Sequence, residues 1–326
     1  MLTVGASLWW RAALSIQAAY GLNILDYSET VNVVSLGGHA GEVLRGLGNW
    51  FFYGGDLLGN WIEASVDYTT ERTLIVVSYA LVAVVFAAAA VLRWRSRAYF
   101  VALIVIGVLI GVGVHPYDDP SPFGRVLKTL SEGSSVGMAL RNVGRAVPLV
   151  VLGGAVLIGA GVTAAYEWLR ARGRRTIGAV LAAVIVGLTV LNLPALWDQS
   201  FYGKNLLRPE EVPEYWSDAI AALDAEGTDS RVLELPGADF AAYTWGNAVE
   251  PITPGLTDRP YVARELIPYG SPASANLLQA LDRRVQMGLL EPEAIAPLAR
   301  LLATGDVVLR SDLQTDRFDL VRAREV

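Results

Sequence analysis

In the run ALRNVGRAVPL, Arg141, Asn142 and Arg145 stand immediately ahead of a long apolar stretch. At headgroup depth, guanidinium forks there would hold a phosphate diester through paired hydrogen bonds; lipid-headgroup contact or a simple loop cap would use the same residues. His115 and the adjacent Asp118 and Asp119 follow another apolar stretch. Neighbouring carboxylates ligate a divalent cation or act as acid and base, while an Asp-Asp-Pro run also reads as a solvated turn with an Asx cap. The third group is aromatic. Trp50, Phe51, Phe52, Tyr53 and Trp61 surround Gly54, Gly55 and Asp56, behind a helical stripe of Val43, Leu44 and Leu47. That composition suits a collar at a lipid surface or a platform for stacking sugar rings. No residue identifies itself as a catalytic base, and no GxGxxG, Walker or GxSxG loop is present.

The elements that must position these groups are apolar. The 326 residues are 53% hydrophobic and only 18% charged, with mean hydropathy +0.40, which excludes a purely soluble protein. Residues 73–92, 98–114, 146–166 and 176–197 carry no charge. Even 17 residues of helix cover roughly 25 Å, so four spans are expected. The connectors orient them. Arg93, Arg95 and Arg97 join the first pair; Arg170, Arg172, Arg174 and Arg175 join the second. Both connectors are expected in the cytoplasm, with residues 1–71, the loop 115–145 and everything after 197 facing outward. Residues 2–25 are apolar apart from Arg11 and Gln17, so they form a fifth span or, with Trp9 and Trp10, an interfacial helix. No charge lies inside the four spans to line a substrate path, which disfavours a transporter.

The absence of cysteine excludes disulfides, iron–sulfur clusters and thiol nucleophiles. Charge divides the chain: residues 1–196 hold 14 Lys/Arg and 11 Asp/Glu, residues 197–326 hold 12 and 21. Neither part has the basic footprint that nucleic acid requires. After 197 the pattern becomes α/β. Helices are expected at 211–225, 273–289 and 293–303, the last ended by Gly305, with strands at 231–235 and 306–310. Two strands make a marginal sheet, so 198–326 reads as the opening of a larger extracytoplasmic domain.

The tail segment RVLELPGADFAAYTWGNAVEPITPGLTDRPYVARELIPYGSPASANLLQALDRR, with AYGLNILDYSET, EVLRGLGNWFFYGGD and ALRNVGRAVPL, resembles the actinobacterial α-(1→3)-arabinofuranosyltransferases over nearly the whole chain. The resemblance implies a GT-C-like, α-helical polytopic membrane protein of four to five spans, followed by an α/β domain. It implies transfer of an arabinofuranosyl unit from a decaprenyl-phosphate carrier to cell-wall arabinan on the outer face of the plasma membrane. Arg141, Asn142 and Arg145 would hold the donor phosphate. The family keeps its catalytic aspartate in an early extracytoplasmic loop that this chain lacks, so an internal fragment without its acid is expected. Asp118 and Asp119 are the local acids that remain, and a divalent cation beside them is the one cofactor suggested. The competing expectation is a membrane-anchored carbohydrate-binding or scaffolding module without catalysis.

Overall fold

The computed structural model describes residues 5, 7–20, 23, 25, 27–227, 229–266 and 270–323. It divides into a helical unit, Glu29–Leu206, and an α/β unit comprising Leu207–Val326 with Met1–Ser28. Within the amino-terminal segment, helix α1 (Leu8–Tyr20) has 13 residues and leaves Trp9 and Trp10 exposed. At roughly 20 Å it is shorter than a hydrocarbon core of about 30 Å. The remainder of the expected span at 2–25 lies largely outside the described residues.

In the helical unit, short helices α2 (Val31–Ser35), α3 (Ala40–Leu44) and α4 (Ala64–Thr70) precede α5 (Arg72–Val91) and α6 (Arg97–Val112). Next come α7 (Pro122–Gly133), α8 (Ser135–Ala139), α9 (Val147–Ala171), α10 (Arg175–Leu191) and α11 (Pro194–Asp198). Among the described residues, two helical stretches, Arg72–Val91 and Val143–Ala171, are long and apolar enough to cross a membrane. Arg97–Val112 and Arg175–Leu191 are equally apolar but shorter, because Gly113 and the Asn192-Leu193-Pro194 run end them. Helix α9 packs against α5, α6 and α10 around Val43, Ala88, Leu92, Ile104, Val147, Val150 and Leu157. Small residues set the approach: a Cβ on Gly107 would lie 2.7 Å from Val150 Cγ2, and one on Gly161 2.9 Å from Ala88 Cβ. Large apolar side chains remain on the outer surface of these helices, among them Val76, Phe86, Val105, Leu109, Leu152, Ile177, Val180 and Val184.

The expected loop 115–145 is mostly helical. Ser121 caps α7 by accepting from Gly124 N, with Pro122 in the first turn, and Ser134 caps α8 through Gly137 N. Pro120, Gly133 and the Ser-Ser pair punctuate these helices so closely that the segment reads as coil.

The α/β unit contains α12 (Glu214–Ala225), α13 (Pro272–Gln286) and α14 (Pro292–Leu302). The two glycine-bearing strands of the helical unit, β1 (Gly55–Asp56) and β2 (Gly59–Asn60), form a small antiparallel hairpin. Beyond it, β3 (Arg231–Leu235), β4 (Tyr261–Val262) and β5 (Thr304–Leu309) make a parallel sheet of order β4-β3-β5. The expected two strands are therefore three. The added strand is two residues long, below the length at which alternation can be read. Gly305 does not terminate α14 but lies inside β5; Ala303, at φ 55°, closes the helix in the left-handed region. Leu233, Leu235, Val262, Leu281, Val285 and Leu302 form the core between sheet and helices.

Candidate functional site

The polar connectors of the helical unit gather at one end of its apolar helices. Gly38 meets Val112 O, Gly144 meets Asn49, and Tyr68 OH donates to Asn192 O, joining segments far apart in sequence. Residues 200–205 pack on the same end: Ala64 N donates to Ser200 O, Gly203 N to Trp61 O, and Asn205 Nδ2 to Leu58 O. The arginine-bearing turns are the remaining connectors of these antiparallel neighbours. There Trp94 stacks on Phe100, and Arg172 lies 3.7 Å from the Trp168 ring centroid.

Arg141 and Arg145 have different surroundings. The Arg141 side chain is 8% exposed; Nη2 pairs with Glu29 Oε2 at 3.0 Å, Nη1 donates to Met138 O at 2.9 Å, and Nε donates to Glu29 O. Each of its three side-chain nitrogens donates to protein, which fastens the segment before α2 to the α8–α9 connection. Arg145 is exposed and makes no ion pair among the described residues. It stands in the 3-10 turn Val143–Ala146 leading into the 25-residue α9, whose first amides and dipole favour an anion. Asn142 Oδ1 is buried beside it without a hydrogen-bond partner among the described residues.

His115 and the two aspartates do not converge. His115 Nδ1 is 3.0 Å from Ser35 O, its ring meets His39 edge-on at 5.8 Å, and Asp118 and Asp119 are exposed. Among the described residues no group of three or more His, Asp or Glu is arranged to hold a metal. Proline and the following turn direct the carboxylates outward while the imidazole faces the protein.

The most enclosed charge of this end leaves little trace in the sequence. The Arg45 side chain, 3% exposed, donates to Ser78 Oγ at 2.7 Å, to Glu42 Oε1 at 2.7 Å and to Tyr68 O at 2.8 Å. Tyr53 OH donates to Glu42 Oε2 at 2.9 Å. Burial, then the Glu42 charge, pushes the Tyr53 hydroxyl well above its ordinary range, so it remains a donor. The only sequence trace is an acid and a base at i,i+3 in a glycine-rich run; Ser78 lies 33 residues away on an apolar helix.

Beside this network, Trp61 lies 6.4 Å from Trp50 and 5.0 Å from Phe51 between ring centroids, and donates to Asp56 Oδ2 at 3.0 Å. Gly54 is required by contact: a Cβ there would sit 2.4 Å from the Trp61 ring. The aromatics are thus packed on one another, with Phe51 exposed.

The α/β unit has its own buried charges, at the carboxyl ends of its strands. Glu234, 0% exposed, lies 3.5 Å from Arg310 Nη1; burial raises its pKa and Arg310 opposes that. Glu265 accepts from Tyr261 OH at 3.0 Å, and burial outweighs that bond to push its pKa up to about 7.

The family model described as α-(1→3)-arabinofuranosyltransferase, N-terminal GT-C domain, matches residues 1–326. The chain is 27% identical over 323 residues to an α-(1→3)-arabinofuranosyltransferase of Mycolicibacterium smegmatis, covering 95% of this chain and 22% of the relative. It is 26% identical over 333 residues to one of Mycobacterium tuberculosis, covering 95% and 23%. It therefore spans about a fifth of the length of these curated relatives. In fold it is similar to a cryo-EM structure of arabinofuranosyltransferase AftD from Mycobacteria, with TM-score 0.63 and 22% identity over 98% of this chain and 20% of that one. A mutant form of that protein gives TM-score 0.61 and 21% identity, covering 98% and 21%.

Proposed function

Since the chain belongs to the α-(1→3)-arabinofuranosyltransferase N-terminal GT-C domain family, we propose that it is part of a membrane glycosyltransferase. That enzyme moves arabinofuranosyl units from decaprenyl-phosphate-arabinose to cell-wall arabinan on the outer face of the plasma membrane. In this reading the four apolar helices span the bilayer and the arginine turns lie in the cytoplasm. Residues 1–71, 115–145 and 198–326 face outward. The apolar outer surface of the helices supports burial in lipid. The shorter helices reach roughly 24 to 26 Å, which local thinning and interfacial aromatic residues accommodate.

The observation that carries the reading is the exposed Arg145 at the amino end of α9, beside Asn142 and among the gathered polar connectors. A lipid-borne phosphodiester approaching from the headgroup layer meets a guanidinium and a helix amino terminus there. Both stabilise the charge that grows on the phosphate as the glycosidic bond breaks. Arg141 acts as a positioning residue: its hold on Glu29 and Met138 O fixes the turn that presents Arg145. Deprotonation of the acceptor hydroxyl requires a carboxylate, to which no residue of this chain is assigned.

The test is donor binding by the full-length protein in nanodiscs. Arg145→Ala is expected to weaken retention of a polyprenyl-phosphate sugar by about ten- to a hundredfold, since a charge-assisted phosphate contact is worth about 1.5–3 kcal/mol. Arg145→Lys recovers part of it. Unchanged retention in Arg145→Ala refutes the assignment.

A further inference from the structure

A second ligand-facing feature lies in the α/β unit, among residues given no role above. Three side chains donate to one oxygen of Asp312: Tyr215 OH at 2.8 Å, Trp216 Nε1 at 2.8 Å and Trp245 Nε1 at 2.7 Å. Trp216 is buried, packs edge-on against the buried Tyr243 and needs no further explanation. The other two differ. Tyr215 is 52% exposed and Trp245 half-buried, so each ring is pinned by its polar end while carrying aromatic surface into solvent.

The backbone holds that arrangement. Trp245 sits in a tight turn closed by Tyr243 N donating to Gly246 O at 2.8 Å, and Thr244 N donates to Asp312 O at 2.8 Å. One face of its indole stacks on Tyr243, with centroids 4.7 Å apart and planes 17° apart. The surface it exposes is therefore its other face and edge. Glu210 secures the turn from below, its carboxylate accepting from Asn247 N and Nδ2 and its amide donating to Trp245 O. Such rings are fixed before any ligand arrives, so binding does not have to order them.

We propose that Tyr215, Trp245 and Asp312 form a subsite for a neutral oligosaccharide, with the two rings as the stacking platform and the second carboxylate oxygen of Asp312 as acceptor for a sugar hydroxyl. Neutrality follows from the chemistry. Among the described residues no Lys or Arg donates to Tyr215, Trp245 or Asp312 to draw in an anion, and the charge of Asp312 is already shared among three donors, which leaves little for a cation. What remains is aromatic faces beside a hydrogen-bond acceptor, the pairing that suits a polyol with an apolar C–H face. The choice of an arabinofuranose chain as ligand rests on the glycosyltransferase reading; the subsite itself does not.

The experiment is calorimetric titration of the full-length protein in nanodiscs, without donor lipid, using an arabinofuranose hexasaccharide, maltohexaose and oligolysine as separate probes. Tyr215→Ala should weaken hexasaccharide binding by about tenfold, and Trp245→Phe, which keeps the stack but loses the N–H, by several-fold. Circular dichroism checks that both variants are folded. Binding that both variants leave unchanged overturns the subsite, as does failure of both oligosaccharides to bind or stronger binding of oligolysine. Because no donor is present, loss of transfer with binding retained leaves the subsite standing, and transfer with no oligosaccharide binding removes it alone.

Discussion

Arg45 is the residue on which the polar end of the helical unit turns, because one enclosed guanidinium satisfies a carboxylate, a hydroxyl and a carbonyl from three segments. Replacing it with Met leaves Glu42 partly buried with no cation. The expected loss is about 3 kcal/mol, seen as a lower midpoint in detergent-solubilised thermal unfolding; Arg45→Met with Glu42→Gln recovers part of it. An unchanged midpoint in Arg45→Met contradicts the structural role. Glu265 has a pH signature. Its folded pKa, about 7, lies above the ordinary carboxylate range, so the folded state holds the proton more tightly than the unfolded one. Its contribution is greatest below the unfolded carboxylate pKa, falls as pH rises towards 7, and is constant above. Wild type is expected to melt higher at pH 5 than at pH 8 from this group, and Glu265→Gln to flatten that difference; an identical pH profile in the variant refutes it. Neither role was legible in the sequence: Arg45 is enclosed by Ser78 and Tyr68, 33 and 23 residues away, and Glu265 is set apart by burial, which its neighbour Tyr261 four residues earlier does not announce. Arg141 and Arg145 were legible as a pair but not as opposites, because which guanidinium is enclosed depends on Glu29.

Among the elements, the apolar helices were legible because an uncharged run of that length has few other solutions. Their ends shifted where proline and glycine intervene: Gly113 closes α6 early, and Pro194 starts a separate short helix after α10. Helices α7 and α8 were hidden by the turn residues that cap them, and β4 by its length of two residues. Packing between the helices depends on small residues. Gly107 faces Val150 at a separation no side chain fits, so Gly107→Leu should separate α6 from α9. Overpacking of this kind costs typically 1–3 kcal/mol. The variant is expected to show faster hydrogen exchange in peptides from both helices; unchanged protection in α9 contradicts the contact.

For the molecule as a whole, the proposed transfer depends on sidedness. The gathered connectors, Arg145 and the chain leaving the helical unit at Leu206 share one end, and the arginine turns form the other connections. A sugar carried on an outer-leaflet lipid phosphate meets Arg145 only if those turns lie in the cytoplasm. The chain has no cysteine, so single reporters can be introduced cleanly. The deciding measurement is labelling of Ala171→Cys, Ser135→Cys and Ser271→Cys with a membrane-impermeant maleimide in sealed cells. Ser135→Cys and Ser271→Cys are predicted to react at once and Ala171→Cys only after permeabilisation; prompt labelling at Ala171→Cys with protection at the other two would contradict glycosyl transfer at the outer face.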